Sequence, residues 1–155
     1  MRLPPFQEVV DRHGRDVYRV CVAAAGAAAA DDCYQETMLA ALAAYPRLRD
    51  PSALRGWLLT IASRKAVDHF RTNARTVPVA EPDLGGREDA PPRDEALWAQ
   101  VRALPPKQRV AVAYRFVLDL SYRDIGAAME TSEEAARRNV FEGLRRLRTC
   151  TLARR

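Results

Sequence analysis

Leu120-Ser-Tyr-Arg-Asp-Ile-Gly-Ala-Ala-Met-Glu-Thr-Ser-Glu-Glu-Ala-Ala-Arg-Arg-Asn-Val-Phe-Glu-Gly-Leu-Arg-Arg-Leu-Arg148 reads as two helices about a tight turn, and that reading decides the class of the fold. Ser121, followed three residues later by Asp124, predicts the start of the first helix, with Ile125, Ala128 and Met129 as its apolar face. Thr131 with Glu134 has the S/T-x-x-E pattern of a capping box and predicts the start of the second. There Ala136, Val140, Leu144 and Leu147 recur at spacings of four, four and three. This buried stripe leaves Arg137, Arg138, Arg145 and Arg148 mostly on other faces. A helix pair of this build can place its second member in a DNA major groove. The plainer alternative is an amphipathic hairpin whose arginines only solvate its surface. Glu130 stands where the turn would prefer glycine, at a cost of about 1 kcal/mol if the turn needs positive φ.

Working outward, helix formers dominate the 155 residues and alternating runs of β-branched and aromatic residues are nearly absent, so the fold class is all-α. A net charge of +5 and a pI of about 9.5 point to a polyanionic partner without saying which one. Residues 1–75 hold 11 basic and 8 acidic side chains, residues 76–93 hold 2 and 4, and residues 94–155 hold 12 and 8. Two basic blocks therefore flank an acidic stretch. Lys65 and Lys107 are the two lysines, so the positive charge is nearly all arginine, suited to planar contacts with phosphates and guanine edges.

The pattern predicts helices over residues 6–25, about 30–44, about 53–73, 94–104 and 107–118, ahead of the helix-turn-helix. Gly26 marks a break, Tyr45-Pro46 ends the second helix, and residues 47–52 form a loop. Residues 77–92 contain four prolines, two adjacent glycines and an acidic excess, the composition of an extended linker. The expected organisation is two small helical domains, 1–75 and 94–155, joined by a linker over 76–93. Cores this small are each only moderately stable, so a large partner that clamps both domains is the natural source of a fixed spacing.

Two faces of the first block carry chemistry. Asp31, Asp32, Gln35 and Glu36 make one helix face acidic and polar within a basic domain. Favourable acids in a first helical turn would explain Asp31 and Asp32, whereas Gln35 and Glu36 extend farther and fit a docking face; both readings stay open here. Arg64, Lys65, Asp68 and Arg71 lie apart from the apolar stripe of Leu54, Trp57, Leu58, Ile61, Ala62, Ala66 and Phe70, and Arg75 closes the run. A basic face beside aromatics and a loop suits a single strand; a solvated surface is the alternative. Trp57 belongs to the apolar stripe and is read as core.

Taken in order, these motifs resemble the extracytoplasmic-function (ECF) group of the sigma-70 family, promoter-recognition subunits of bacterial RNA polymerase. Asp31-Asp32…Gln35-Glu36-Thr37 is similar to the family's D-x-x-Q-E-T helix. Trp57-Leu58…Ile61-Ala62…Ala66-Val67-Asp68…Arg71 is similar to its W-L-x-x-I-A-x-x-x-A-x-D-x-x-R helix. Leu104-Pro105-Pro106…Arg109 resembles the start of its second domain, and Ser121-Tyr122-Arg123-Asp124-Ile125…Ser132-Glu133 its helix-turn-helix. The resemblance implies that 1–75 is a sigma-2-like domain and 94–155 a sigma-4-like one. It implies that Asp31, Asp32, Gln35 and Glu36 dock on the β′ clamp of core RNA polymerase, with the β flap as a further contact. Leu48, Arg49, Asp50, Ser52, Arg64, Lys65, Asp68, Arg71 and Arg75 would hold a melted −10 strand. Ser132, Glu134, Arg137, Arg138, Phe141, Arg145 and Arg148 would read a −35 duplex, with Glu134, Arg137 and Arg138 nearest the bases. An anti-sigma factor is expected as a further partner.

The chain departs from the family pattern at Arg64, where many members have Asn, at Gly126 for the usual alanine, and at Glu130 for the usual glycine. Asn139–Gly143 replaces a more basic stretch, and the −10 base preference lies outside what the resemblance implies.

No catalytic residues, metal site or cofactor are expected. His13 and His69 are far apart, there is no nucleophile–base pattern, and Cys21, Cys33 and Cys150 form no C-x-x-C pair. Neither a small-molecule substrate nor membrane insertion is expected, because the alanine-rich run 20–30 is too short to span a bilayer; the expected location is the cytoplasm. A free-standing helix-turn-helix regulator would account for 94–155 and leave 31–75 unexplained. A protein-interaction module that only keeps the sigma shape is the other rival.

Overall fold

The structure, a computed structural model, describes residues 2–73 and 95–153, with side chains for 2–69 and 96–149. Its elements are α1 (Phe6–Ala25), α2 (Ala27–Ala44), α3 (Leu54–Asn73), α4 (Glu95–Arg102), α5 (Pro106–Phe116), α6 (Tyr122–Ala128) and α7 (Glu133–Ala153), with 3-10 turns at Tyr45–Arg47 and Pro51–Ala53. Every regular element among the described residues is helical, as composition predicts.

In α1, Val9, Val17, Val20, Cys21 and Ala24 return at helical spacing and are all buried. Gly26 ends the helix at φ 85°, a conformation that costs other residues more, and its N–H bonds to the Val22 carbonyl at 2.9 Å. The alanines that follow do not prolong the break. They start α2 at Ala27, three residues ahead of the predicted position, because alanine is the best helix former. After α2 the chain makes a 3-10 turn through Pro46 before the loop. Asp50 then accepts from the Ser52 N–H at 2.9 Å and hydroxyl at 2.7 Å, opening the turn into α3.

Pro106 does not end α4, as the sequence predicts; it begins α5, where a missing N–H is harmless and its fixed φ fits the first helical position. Helix α4 closes at Arg102, and the N–H groups of Ala103 and Leu104 bond to Gln100 and Val101 at 3.1 and 3.0 Å. Helix α5 stops at Phe116 rather than 118, where the chain turns through Asp119 at φ 53°. The predicted linker over 76–93 lies outside the described residues.

Helices α1–α3 pack on one another, as do α4–α7, and the two sets are docked. One hydrophobic cluster runs from Val9 and Val17 through Leu58 and Leu59 to Tyr114, Ile125 and Val140. A smaller one of Val101, Leu104, Val112 and Leu147 lies within the second set. Helix α5 is buried on almost every side from Val110 to Tyr114, because it packs against α7 and α6 as well as against α3 and α1. Tyr114 is wholly buried, and its hydroxyl donates to the Leu59 carbonyl of α3. Burial pushes its ionisation far up, so it stays a neutral donor. Arg109 also crosses between the sets, donating to the Leu104 carbonyl at 3.0 Å and the Ala24 carbonyl at 3.3 Å. Burial, then Arg102, pushes its pKa down to about 10.

Candidate nucleic-acid interface

The helix-turn-helix forms as read, with one shift. Ser121 caps α6, accepting from the Asp124 N–H at 3.1 Å. The turn that follows holds Glu130 at φ 58° and closes with the Thr131 N–H on the Gly126 carbonyl at 2.8 Å. Glutamate therefore occupies a left-handed position that favours glycine. Glycine instead stands at 126, where an added Cβ would lie 2.9 Å from the Ser132 carbonyl oxygen, so the tightness of this turn requires it. The predicted Thr131–Glu134 capping box does not form. Thr131 remains in the turn, and Ser132 caps α7 by accepting from the Ala135 N–H at 3.0 Å, one residue later than read.

On α7, Ala136, Val140, Gly143 and Leu147 are buried and Leu144 is half-buried. At about 100° per residue, Glu134, Arg137, Arg138, Phe141, Arg145 and Arg148 fall within an arc of roughly 100° on the opposite side. All six are exposed, Phe141 at 59%, and Ser132 is exposed beside them. Arg137 is held more firmly than an ordinary surface arginine. Its guanidinium lies 5.0 Å from the centre of the Tyr122 ring and 3.5 Å from Glu133. Arg115 lies over the same ring at 4.7 Å and donates to the Leu120 carbonyl at 2.8 Å. Tyr122 was visible in the motif, but the spacing gave no sign of this stack, which joins α5, α6 and α7.

In the first set, Asp31, Asp32, Gln35 and Glu36 are all exposed along one side of α2. Because α2 begins at Ala27, no acid lies in its first turn, and the helix-dipole explanation fails for all four. Leu39 and Leu42, 66% and 51% exposed, continue the same face toward the C-terminus. The sequence reading missed them, although apolar residues four and seven positions after Gln35 were the available signal. Glu36 also lies 3.6 Å from His69 Nε2 on α3.

On α3, Arg64 and Asp68 are exposed and Lys65 is half-buried. Arg71 lies in the helix but its side chain is outside the described ones, and Arg75 is outside the described residues. Arg49, Asp50 and Ser52 are exposed in the adjoining loop, with Leu48 half-buried. The Ser52 hydroxyl, then its N–H, holds the Asp50 carboxyl below its usual range. Trp57 is only half-buried, its ring tilted against Tyr45 at 6.2 Å between ring centres, and it lines a groove with Leu48 and Ser52. It is thus less completely core than predicted. Cys21 and Cys33 are buried free thiols, and the side chain of Cys150 is outside the described ones. Among the described residues, no cluster of His, Cys, Asp and Glu could hold a metal ion, and no helix is long and apolar enough to cross a membrane.

A helical bundle with an exposed acidic face, packed against a helix-turn-helix with an exposed arginine stripe, defines the class of helical DNA-binding proteins. Residues 9–76 match sigma-70 region 2 and residues 94–147 match sigma-70 region 4. The chain is 31% identical to the ECF RNA polymerase sigma factor SigD of Mycobacterium tuberculosis over 159 residues, covering 92% of this chain and 75% of the relative. It is 33% identical to SigC of the same species over 120 residues, covering 73% of this chain. It spans just under two thirds, 65%, of the length of SigC. The fold matches the sigma factor RpoE in its complex with the anti-sigma factor NepR from Bartonella quintana, with a TM-score of 0.74 at 18% identity over 97% of this chain and 98% of that one. This chain belongs to the ECF group of RNA polymerase sigma factors.

Proposed function

We propose that the chain serves as a promoter-recognition subunit: it binds core RNA polymerase, reads −10 and −35 elements, and promotes melting and initiation. One observation carries this reading. A single chain pairs an exposed acidic and apolar face on α2 with an exposed arginine stripe on α7. A free-standing regulator needs only the stripe.

Residues 1–75 act as the polymerase-docking and −10 domain, 76–93 as the tether, and 94–155 as the −35 domain, which also meets the β flap. Asp31, Asp32, Gln35 and Glu36 dock on the basic β′ clamp, with Leu39 and Leu42 supplying the dry part of that contact. The loop Leu48–Ser52, with Arg64, Lys65, Asp68, Arg71 and Arg75, holds the unstacked −10 strand. Glu134, Arg137 and Arg138 reach base edges in the major groove. Arg145 and Arg148 lie on phosphates, with Ser132 and Phe141 flanking the stripe. Phosphate contacts position the protein and base contacts select the promoter. Capture of unstacked bases offsets a melting cost of a few kcal/mol. The chain contributes binding energy and no bond chemistry, and it acts in the cytoplasm, where its polymerase works. The complex of its structural relative with an anti-sigma factor supports such a partner here.

The test is run-off transcription with bacterial core enzyme and a pool of promoter fragments, with start sites sequenced. Transcripts that require the chain are expected. A chain that neither binds core enzyme nor directs initiation overturns the reading, and duplex binding without core binding would favour the free-standing regulator. Glu36→Lys is expected to abolish capture of core polymerase in a pull-down; retained capture would reassign the α2 face.

A further inference from the structure

The loop assigned to the −10 strand has an aromatic ring at each end. Tyr45 stands just ahead of Leu48–Ser52 and Trp57 just after it, and the two rings meet at 6.2 Å between centres, tilted by 43°. On its other side Tyr45 meets Phe6, the first residue of α1, edge to face at 5.3 Å and 64°. The Tyr45 hydroxyl donates to the Pro4 carbonyl, 41 positions earlier in the chain. All three rings are half-buried, at the margin of the core rather than inside it.

The hydrogen bonds within the loop are short-range. The Leu48 N–H bonds to the Tyr45 carbonyl at 3.1 Å, the Ala53 N–H bonds to the Asp50 carbonyl at 3.1 Å, and Asp50 holds Ser52. These bonds shape two tight turns but do not fix the direction of the loop as a whole. The contacts that reach farther are apolar. Leu48 packs on the core, and the Tyr45–Trp57 contact ties the two ends of the loop together. Trp57 in turn lines the groove beside Leu48 and Ser52, so a shift of Tyr45 reaches the wall of that groove through one ring.

We infer that Tyr45 is a positioning residue for this loop, and that the Pro4–Phe6 segment, by holding Tyr45, sets how well the loop selects a strand. This rests on the sigma-factor reading of Leu48–Ser52 above. The physical reason is preorganisation. A loop already fixed in its binding shape loses less conformational freedom when bases enter it, so more of the contact energy shows as selectivity. Space-filling alone does not account for the arrangement. A half-buried tyrosine can leave its hydroxyl to water, whereas this one commits it to a backbone carbonyl ahead of α1.

The test measures binding of the whole chain, assembled with core polymerase, to two single-stranded oligonucleotides. One carries the −10 sequence of the most active fragment in the run-off pool, and the other carries it with one base changed. Tyr45→Leu removes both ring contacts and the hydrogen bond, and is expected to lower the binding ratio between the two about three- to tenfold. Phe6→Ala, which removes one ring contact, should lower it about two- to fivefold. Tyr45→Phe keeps the rings and loses only the bond to Pro4, for a loss of about twofold, and it keeps the test open should Tyr45→Leu fail to fold. Capture of core polymerase by Phe6→Ala and Tyr45→Phe should stay within about twofold of wild type, since neither change touches the acidic face of α2. A wild-type ratio in all three variants overturns the inference. So does an equal loss of core capture and of binding to both oligonucleotides, which would reduce the rings to packing. If the wild-type chain captures no core enzyme, the sigma-factor reading fails instead, and hydrogen exchange of the free chain decides whether Tyr45 holds the loop. The Leu48 and Ser52 amides should then exchange about threefold or more faster in Tyr45→Leu, and unchanged rates overturn the inference.

Discussion

Arg137 shows how a single base-reading candidate is prepared. Its guanidinium is stacked on Tyr122 and tethered to Glu133, so less side-chain freedom is lost when it meets a base edge than for a free surface arginine. Arg137→Ala is expected to cost roughly 1–3 kcal/mol of discrimination at one −35 base pair if the contact is bidentate. Tyr122→Leu should lose a smaller part of the same discrimination, about 0.5–1 kcal/mol, and Tyr122→Phe should keep it, because the ring and not the hydroxyl holds the cation. Polymerase-dependent binding to duplexes that differ at one −35 base pair would measure both. Uniform weakening on every duplex would make Arg137 a phosphate contact. The arginine was legible in the sequence, whereas its stack was not, since it depends on where α6 and α5 bring Tyr122 and Arg115.

At the scale of elements, helix existence followed from periodicity, and the misplaced boundaries have physical causes. Alanines after Gly26 extended α2 backward, Pro106 opened a helix it was expected to close, and the cap of α7 moved from Thr131 to Ser132. The cap moved because Glu130 takes a left-handed conformation and the Thr131 N–H is spent on Gly126, so the turn is one residue longer than the capping pattern assumes. Ser132→Ala is therefore expected to cost about 1 kcal/mol in guanidinium unfolding. Thr131→Ala, at an exposed position outside the cap, should stay within roughly 0.5 kcal/mol. A larger cost at Thr131 would restore the capping box. In α1, burial first, then Arg12 and Arg55, pull the His13 pKa below its usual 6.5, against the opposing effect of Asp16. The unfolded chain then binds the proton more readily, so this histidine removes stability as pH falls through 6.5 toward its lowered folded value. Thermal melts at pH 7.5 and 5.5 should show a smaller acid loss for His13→Gln than for wild type.

Over the whole molecule, one hydrophobic cluster joins helices from both ends of the chain. Calorimetry of the free protein is accordingly expected to give a single unfolding transition, where two independent cores would give two. Tyr114→Ala should cost about 3–5 kcal/mol, because it empties the wholly buried position at which the two sets of helices meet. Tyr114→Phe should cost about 1 kcal/mol for the lost hydrogen bond to Leu59. Denaturant titrations would check both, and an alanine variant as stable as wild type would mean that α5 does not seat in the first set in solution.

The helical class, the helix-turn-helix and the arginine stripe were settled by the amino-acid order, because capping, turn formation and a 3.6-residue period act over neighbouring residues. Docking of α5 and α6 on α3 came only with the tertiary structure, as did the meeting of Arg64 with Glu130 and the exposure of Leu39 and Leu42. Residues 64 and 130 are 66 positions apart, and no local period records which surfaces two helical sets will turn toward each other. That choice depends on which apolar faces can be buried together, as the seating of Tyr114 shows.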